Sequence, residues 1–442
     1  MENLISINTS IETTVFTVNH LCLPEAQDVL EQNILHFWQT KMIDRENGGF
    51  YGRIDGHEVL HPEAEKGAIL NARILWTFSA AYRVLGKPEY LETATYAKDY
   101  FLEHFIDKEY GGVFWSIDYK GNPVNTPKQF SAIGFALYGM TEYARATGDR
   151  EALEYALDLY DCIEEHALDR ENNGYIEAMT RDWQPIVDMR LSELDANFPK
   201  SQNTHLHIIE PYTNLLRCLK EMRAQESCDY VPAIGSVLPV GITIPIETFV
   251  AVEASLRNII SIFTDKILNP DTHHLDLFFE IDWTRGAGHL ESYGHDIECS
   301  WLMHEAALVL GDSKVLAKME PIVREVAKAS EKGLRPDGSM IHEANLTTGH
   351  VDDDLHWWVQ AENVVGWFNI YQYFGDESAL EKAVRCWEYI KTQLIDWENG
   401  EWHWSRRPDG TLNLDDDKAG FWKCPYHNGR MCLEIIERSK EM

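Results

Sequence analysis

The 442-residue sequence is short of positive charge: 39 Lys and Arg face 72 Asp and Glu, for a formal charge of −33. A field of that sign repels nucleic-acid phosphates and anionic membrane surfaces, so neither is an expected partner. A neutral small molecule suits it better. No run of about 18 apolar residues occurs, which excludes a candidate membrane-spanning helix. The opening MENLISINTS lacks a basic region followed by an apolar one, and cytoplasmic residence is the expectation. The eight cysteines are scattered with no C-x-x-C pair, which speaks against a zinc ribbon or redox dithiol and for buried free thiols. The serine-hydrolase elbow, the P-loop and the dinucleotide fingerprint are all missing. No cofactor is expected. A metal is not expected either, because the H-x-H of His205 and His207 has no acidic or cysteine partner at ligand spacing.

What is present is a repeat. Six times an acidic or polar turn, in most copies with glycine, leads into a stretch that is mostly aromatic-rich: DRENGGFYGRID from Asp44, DKEYGGVFWSID from Asp107, DRENNGYIEAMT from Asp169, NPDTHHLDLFFEIDW from Asn269, RPDGSMIHEA from Arg335 and DWENGEWHWS from Asp396. Most successive copies start roughly 60 residues apart, a natural length for a helix pair plus a long loop. Between them the apolar spacing becomes helical. EKGAILNARILWTFSAAYRVLG, from Glu65, has apolar residues at i, i+3, i+4 and i+7 and stops at Gly86, a C-terminal cap. PEYLETATYAKDYFLEHFID and DREALEYALDLYDCIEEHAL each begin with proline or an acidic residue, as a helix N-terminus favours.

Six units of this kind amount to about twelve helices. An open α-solenoid and a closed ring both bury such pairs. The aromatic hairpins look like a pocket floor and favour a ring, in one all-α domain spanning 1–442. One interval is longer. Ser227 to Val250 within it, rich in proline and β-branched residues, reads as an inserted loop or short hairpin and not as a barrel helix.

Four clusters place polar and aromatic residues where an ordinary core has leucine. In NTHLHIIEPYTNLLR, Asn203, His207 and Glu210 share a helical face while His205 points elsewhere, and Pro211 should kink the helix. In GHDIECSWLMHEAALVL, His295 and Glu298 lie one turn apart, an arrangement in which a carboxylate raises imidazole basicity, with Trp301 a turn further on. In HWWVQAENVVGWFN, Trp358 and Glu362 lie at i, i+4 and Trp357 and Gln360 at i, i+3; tryptophan faces stack on sugar rings. In GFWKCPYHNGRMCLEII, Pro425 and Asn428 suggest a loop carrying His427 close to Trp422 and Arg430. Each cluster alone also fits a structural role. Together, with 14 tryptophans and no metal or phosphate motif, they point to acid–base chemistry on a carbohydrate.

GGFYGRID, NTHLHIIE, GHDIECSW, WWVQAENVVGWFN and KCPYHNGRMCLEI occur in order over nearly the whole chain, and in them the sequence resembles the cellobiose 2-epimerases of the N-acylglucosamine 2-epimerase superfamily. The resemblance implies an (α/α)6 barrel with its site in the central cavity and no cofactor. It implies that His295 and His427 are the acid–base pair. Arg53, Asn203, His207 and Glu298 would surround O1, C2 and O2, while Trp301, Trp358, Glu362, Trp422 and Arg430 complete the pocket. The implied reaction inverts C2 of the reducing-end sugar of a β-1,4-linked disaccharide such as cellobiose, mannobiose or lactose. It proceeds by ring opening, proton abstraction and a cis-enediol(ate), in a monomer or weak homo-oligomer. A monosaccharide epimerase or aldose–ketose isomerase, a glycoside hydrolase using two carboxylates, and a non-catalytic sugar-binding toroid stay open as alternatives. Ser131 and Ile133 stand where the family tends to have Tyr and Gln, and Pro211 where it tends to have Ala, which bears on substrate choice.

Overall fold

The computed structural model describes residues 23–440 except 193–195, 225–234, 236, 238–243 and 287. Among the described residues twelve helices alternate between two roles. Helix α1 passes through Leu23–Asp28, a π-helical stretch Val29–Leu35 and His36–Lys41. It is followed by α2 (Ala68–Leu85), α3 (Pro88–His104), α4 (Phe130–Thr147), α5 (Arg150–His166), α6 (Gln202–Ala224), α7 (Ile246–Ile262), α8 (Tyr293–Leu310), α9 (Ser313–Ser330), α10 (Trp357–Phe374), α11 (Glu377–Tyr389) and α12 (Tyr426–Lys440).

Side-chain chemistry sorts them into two layers. Every residue of α4 but the last is buried, the mark of a helix surrounded by protein. Its neighbour α5 buries Ala152, Leu153, Ala156, Leu159, Tyr160 and Ile163, a single stripe at helical spacing, and turns its charged face outward. The even-numbered helices form the inner layer and pack in cyclic order, α12 returning to α2. That contact excludes the open solenoid, in which the two terminal inner helices would face solvent. Each of α3, α5, α7, α9 and α11 lies against the inner helix before it, and α1 lies against α12. The result is an (α/α)6 barrel. The cap expected at Gly86 is there, with φ of 69°.

The six loop copies form six small hairpins, closed by the bridges Ile43 to Phe50, Ile106 to Val113, Leu168 to Tyr175, Leu268 to Leu275, Leu334 to Met340 and Ile395 to Trp402. A short extended segment precedes each inner helix and pairs with the outgoing strand of a neighbouring loop. Lys66–Gly67 pairs with Ser116–Ile117, Lys128–Gln129 with Ala178–Met179, Lys200–Ser201 with Phe278–Phe279, Leu290–Ser292 with Glu343–Asn345, and Leu355–His356 with Ser405–Arg406. The sixth join is the bridge between Ile54 and Ala419, which ties the first loop to the last.

Buried ion pairs pin the loops to these segments. Asp44 meets Lys66 at 2.9 Å, Asp107 meets Lys128 at 2.8 Å, Asp169 meets Lys200 at 2.8 Å and Asp396 meets Lys418 at 2.6 Å. The ring seam carries a further network. Glu401 accepts from Trp38 on α1 at 2.7 Å, from Lys423 at 2.6 Å and from Asn428 on α12 at 2.6 Å.

Two expectations change. Most of the expected insertion Ser227 to Val250 lies outside the described residues, but its end does not form a loop: α7 begins at Ile246, with Pro245 at the N-cap fixing the backbone ahead of the first turn and Glu247 favourably placed within it. His427 is not on a loop either. It lies in the first turn of α12, because Pro425 ends the preceding extended stretch and the helix starts at once.

Candidate functional site

The inner helices all begin at the end of the barrel where the short ladders lie, so equivalent helix positions converge there. Asn203, Trp358 and His427 are the second residues of α6, α10 and α12, and His295 is the third of α8. One turn deeper, the sixth residues of α2, α4, α6, α8 and α10 are Arg73, Phe135, His207, Glu298 and Glu362, joined by Arg430 of α12. The upper layer is partly exposed at Asn203, His295 and Trp358, whereas the lower layer is buried. Backbone N–H groups at these N-termini give the floor a positive potential, suited to a developing oxyanion.

Arg430 organises the lower layer. Its Nη2 donates to Glu298 Oε1 at 2.6 Å and Glu362 Oε1 at 2.7 Å, and its Nη1 donates to Glu210 and to the Tyr426 hydroxyl, which itself donates to Glu210. Three carboxylates thus meet one guanidinium. Burial alone would raise Glu210, yet Arg430 and the His207 hydrogen bond outweigh it and bring it down to about 2. Burial and then the Glu362 charge push Glu298 well above the ordinary carboxylate range, against the pull of Arg430. Glu362 is raised too, by burial, with Arg430 and the Trp301 hydrogen bond opposing. Burial therefore favours the protonated form at both Glu298 and Glu362, with the Glu362 charge adding to it at Glu298.

Hydrogen-bond partners fix the tautomers of three imidazoles. His427 Nδ1 lies 2.7 Å from Glu362 Oε1 and His207 Nδ1 lies 2.8 Å from Glu210 Oε2; a carboxylate only accepts, so each Nδ1 carries hydrogen and leaves an Nε2 lone pair. His295 Nε2 faces the Asn203 amide nitrogen at 3.4 Å, and its Nδ1 lies 2.8 Å from Ser292 Oγ, which gives the same tautomer. Burial is the first cause that lowers all three. It brings His295 down to about 3, with the neighbouring His342, His207 and His427 adding to it. It holds His427 well below its usual value, helped by Arg73 and Arg430, and it outweighs Glu210 at His207. All three are neutral at pH 7. His295 and His427 both lie against the Trp358 indole, with ring centroids 4.8 and 5.7 Å away.

The one-turn spacing of His295 and Glu298 misleads about their partners. Glu298 turns to Arg430 and comes within 3.8 Å of His427 Nδ1, while His295 is oriented by Ser292 and Asn203. Trp301 donates to Glu362 Oε2 at 2.9 Å. Gln360 serves the fold by pairing with the Met340 backbone, and Trp357 packs on Trp404. Trp422 packs with Trp115 and Phe421 in a loop cluster. Arg53 is on the loop beside Ala419, ion-paired to Asp417 at 2.7 Å with 44% of its side chain exposed. His205 is a core residue that accepts from Tyr175 N at 2.9 Å. Ser131 and Ile133 are fully buried in α4.

Sequence reasoning missed Arg73. Its guanidinium stacks on Phe135 at 4.0 Å and Tyr426 at 4.8 Å, and among the described residues no carboxylate pairs with it. A buried cation without an anion is costly unless something else supplies negative charge. Helix α6 runs through Pro211, which deprives the His207 carbonyl of its helical donor. Gly134 lets α4 close onto that carbonyl, since a Cβ there would stand 2.4 Å from His207 O.

Two open cavities lie elsewhere. One of about 650 Å³ is lined by Arg335, Tyr389 and Arg406 on the outer layer and holds none of these groups. A second of about 330 Å³ is lined by Trp115, Gln129, Asp188 and Arg190 and shares Trp115 with the Trp422 cluster.

A family model described as N-acylglucosamine 2-epimerase matches residues 49–210 and 251–429. A curated cellobiose 2-epimerase from Bacteroides fragilis is 56% identical over 412 residues, 93% of this chain and 98% of that protein. One from Ruminococcus albus is 37% identical over 423 residues, 96% of this chain and all of that protein. The solved cellobiose 2-epimerase of Bacillus thermoamylovorans superposes with a TM-score of 0.82 at 39% identity, covering 94% of this chain and 99% of that one. No helix among the described residues is long and apolar enough to cross a membrane.

Proposed function

The chain belongs to the N-acylglucosamine 2-epimerase family and is an isomerase, and from that premise we propose that it epimerises C2 of the reducing-end sugar of a β-1,4-linked disaccharide such as cellobiose. The observation that carries this reading is the pair of neutral imidazoles, His295 and His427, each with an unprotonated Nε2 and each against Trp358. Inversion requires a proton to leave one face of C2 and return to the other. Two bases on one indole wall supply this.

The steps follow from the charges. With the ring open, one histidine takes the C2 proton and the electron pair moves onto O1, giving a cis-enediol(ate). The buried Arg73 beneath it is the oxyanion donor and gains the negative charge that it lacks in the free protein, while the His207 Nε2 lone pair accepts from a sugar hydroxyl. The other histidine, once its Nε2 has taken a proton from water or a sugar hydroxyl, gives that proton to C2 on the opposite face, and the first histidine then releases the proton it took. His427 keeps its tautomer through Glu362, which Arg430 holds in place beside Glu298. Arg53 and Trp422, on the loops, hold the distal sugar.

A hydrolase reading fits these carboxylates poorly. Glu298 and Glu362 bind the same Arg430 nitrogen and are fully buried, so they cannot flank a glycosidic oxygen. Proton NMR in D2O with cellobiose, mannobiose, mannose and N-acetylglucosamine is the test. Deuterium at C2 of the disaccharides together with the C2 epimer is expected. Exchange in mannose alone refutes the disaccharide reading, and release of free glucose refutes epimerisation.

A further inference from the structure

Outside the acid–base cluster, three potential metal ligands meet on the loops. His342 Nδ1 lies 2.8 Å from Asp352 Oδ2, and His356 Nε2 lies 3.8 Å from the same oxygen. The two imidazoles stack, with centroids 4.4 Å apart and planes 16° from parallel. One ligand atom from each of the three residues falls within 4.8 Å of the other two. We propose that His342, Asp352 and His356 bind one zinc-like divalent cation at the rim of the sugar pocket.

Four observations carry this. The donor set, two imidazoles and one carboxylate, is one that borderline first-row cations prefer, and bond lengths of about 2.0–2.2 Å need only small shifts from the separations present. Among the described residues no lysine or arginine is ion-paired with Asp352, whose pairs are with the two histidines. The side chains are 20%, 32% and 15% exposed, so a hydrated ion reaches them while three waters or fewer complete its shell. The run Asp352 to Asp354, in a chain of charge −33, draws cations to this point. A hydrogen bond from His342 accounts for one imidazole only, because 3.8 Å is too long for a second.

The three ligands come from different segments. His342 precedes the strand Glu343–Asn345, Asp352 ends the strand His350–Asp352, and His356 precedes α10. A cation there clamps this sheet to the helix that carries Trp358. His342 meets the Trp358 indole edge-on at 5.7 Å, and that indole lies against His295. The ion takes no part in proton transfer; it sets the rigidity of the wall on which His295 rests. A second candidate group, Glu298, Glu362 and His427, is also close-set, but Arg430 already occupies both carboxylates.

Calorimetric titration of chelator-treated full-length protein with ZnCl2 tests the site, beside Cu2+ electron paramagnetic resonance of the same protein. One Zn2+ per chain is expected, weakened at least about tenfold in His356→Gln and in Asp352→Asn and unchanged in His427→Gln. The Cu2+ spectrum should show coupling to imidazole nitrogen, a readout in wild-type protein that does not depend on variants folding. Absence of Zn2+ binding at millimolar zinc overturns the proposal. So does binding that survives both rim substitutions, or that disappears in His427→Gln and so places the ion among the buried glutamates.

Discussion

Glu362 and Glu298 are chemically identical, equally buried and bound to the same Arg430 nitrogen, yet their amide variants should behave oppositely. Glu362 accepts three hydrogen bonds, from His427 Nδ1 at 2.7 Å, Arg430 at 2.7 Å and Trp301 at 2.9 Å. Glutamine has one acceptor oxygen. With it toward His427 and Arg430, the amide N–H2 opposes the Trp301 N–H; flipped, it opposes Arg430 and drives His427 into the other tautomer, with its lone pair on Nδ1. Loss of a correctly protonated general base costs roughly 100- to 10,000-fold in kcat, or about 3–5 kcal/mol of barrier. Burial and the Glu362 charge favour the protonated form of Glu298, and a neutral amide in its place mimics that form. Glu298→Gln should lose less than about tenfold. The assay is initial-rate epimerisation of cellobiose by each variant, with circular dichroism to verify folding. Comparable losses in the two variants, or Glu362→Gln within tenfold of wild type, would refute the tautomer and proton assignments together.

Three other expectations follow from the same structure. Arg73→Met, which removes the unpaired guanidinium beneath the sugar while keeping its bulk, should lower kcat roughly 100- to 1,000-fold, whereas Arg53→Met should act mainly on KM; initial rates over a substrate series separate them. Glu401→Gln leaves Lys423 buried without its anion and should destabilise the fold by about 3–5 kcal/mol, read as a denaturant midpoint shift at unchanged slope. His205 is fully buried and burial brings it down to about 4, below the roughly 6.5 of an unfolded histidine, so its contribution is complete above pH 6.5 and is lost as pH falls toward 4. Between pH 7 and 5 this amounts to about 2 kcal/mol, and melting curves should fall more steeply over that range in wild type than in His205→Gln.

The barrel was legible because its repeat is written in the loops. Six turns of related grammar, an Asp or Asn turn that in most copies carries glycine and leads into aromatics, announce six units, and caps such as Gly86 mark where helices stop. Most residues of the candidate site were legible too, since Asn203, His207, His295, Glu362 and Arg430 are polar residues inside apolar helical runs. Their partnerships were not. Spacing of three or four reports neighbours along one helix, but His427 is oriented by Glu362, 65 residues earlier, and Arg430 by Glu210, 220 residues earlier. That is why His295 and Glu298 looked like a pair and are not. Arg73 escaped notice because an arginine in NARILW reads as an ordinary helix former. Aligning the six inner helices by their first residues places it level with His207, Glu298 and Glu362. The start of α12 was misjudged because Pro425 and Asn428 also suit a turn, and only the packing of Tyr426 and His427 against the ring selects the helix.

The bridge between Ile54 and Ala419 has a consequence in time. Arg73 emerges with the first inner helix and His427 with the last, so no partial product of synthesis contains both the guanidinium proposed to face the oxyanion and the second proposed base. Each earlier stage is an arc whose two terminal inner helices carry apolar faces awaiting a neighbour, and Glu401 can join α1 to α12 only after the arc has bent into a circle. Catalysis is in this sense a property of the closed circuit. Any cut or strain that lets the seam part should extinguish turnover while most of the helices are still in place.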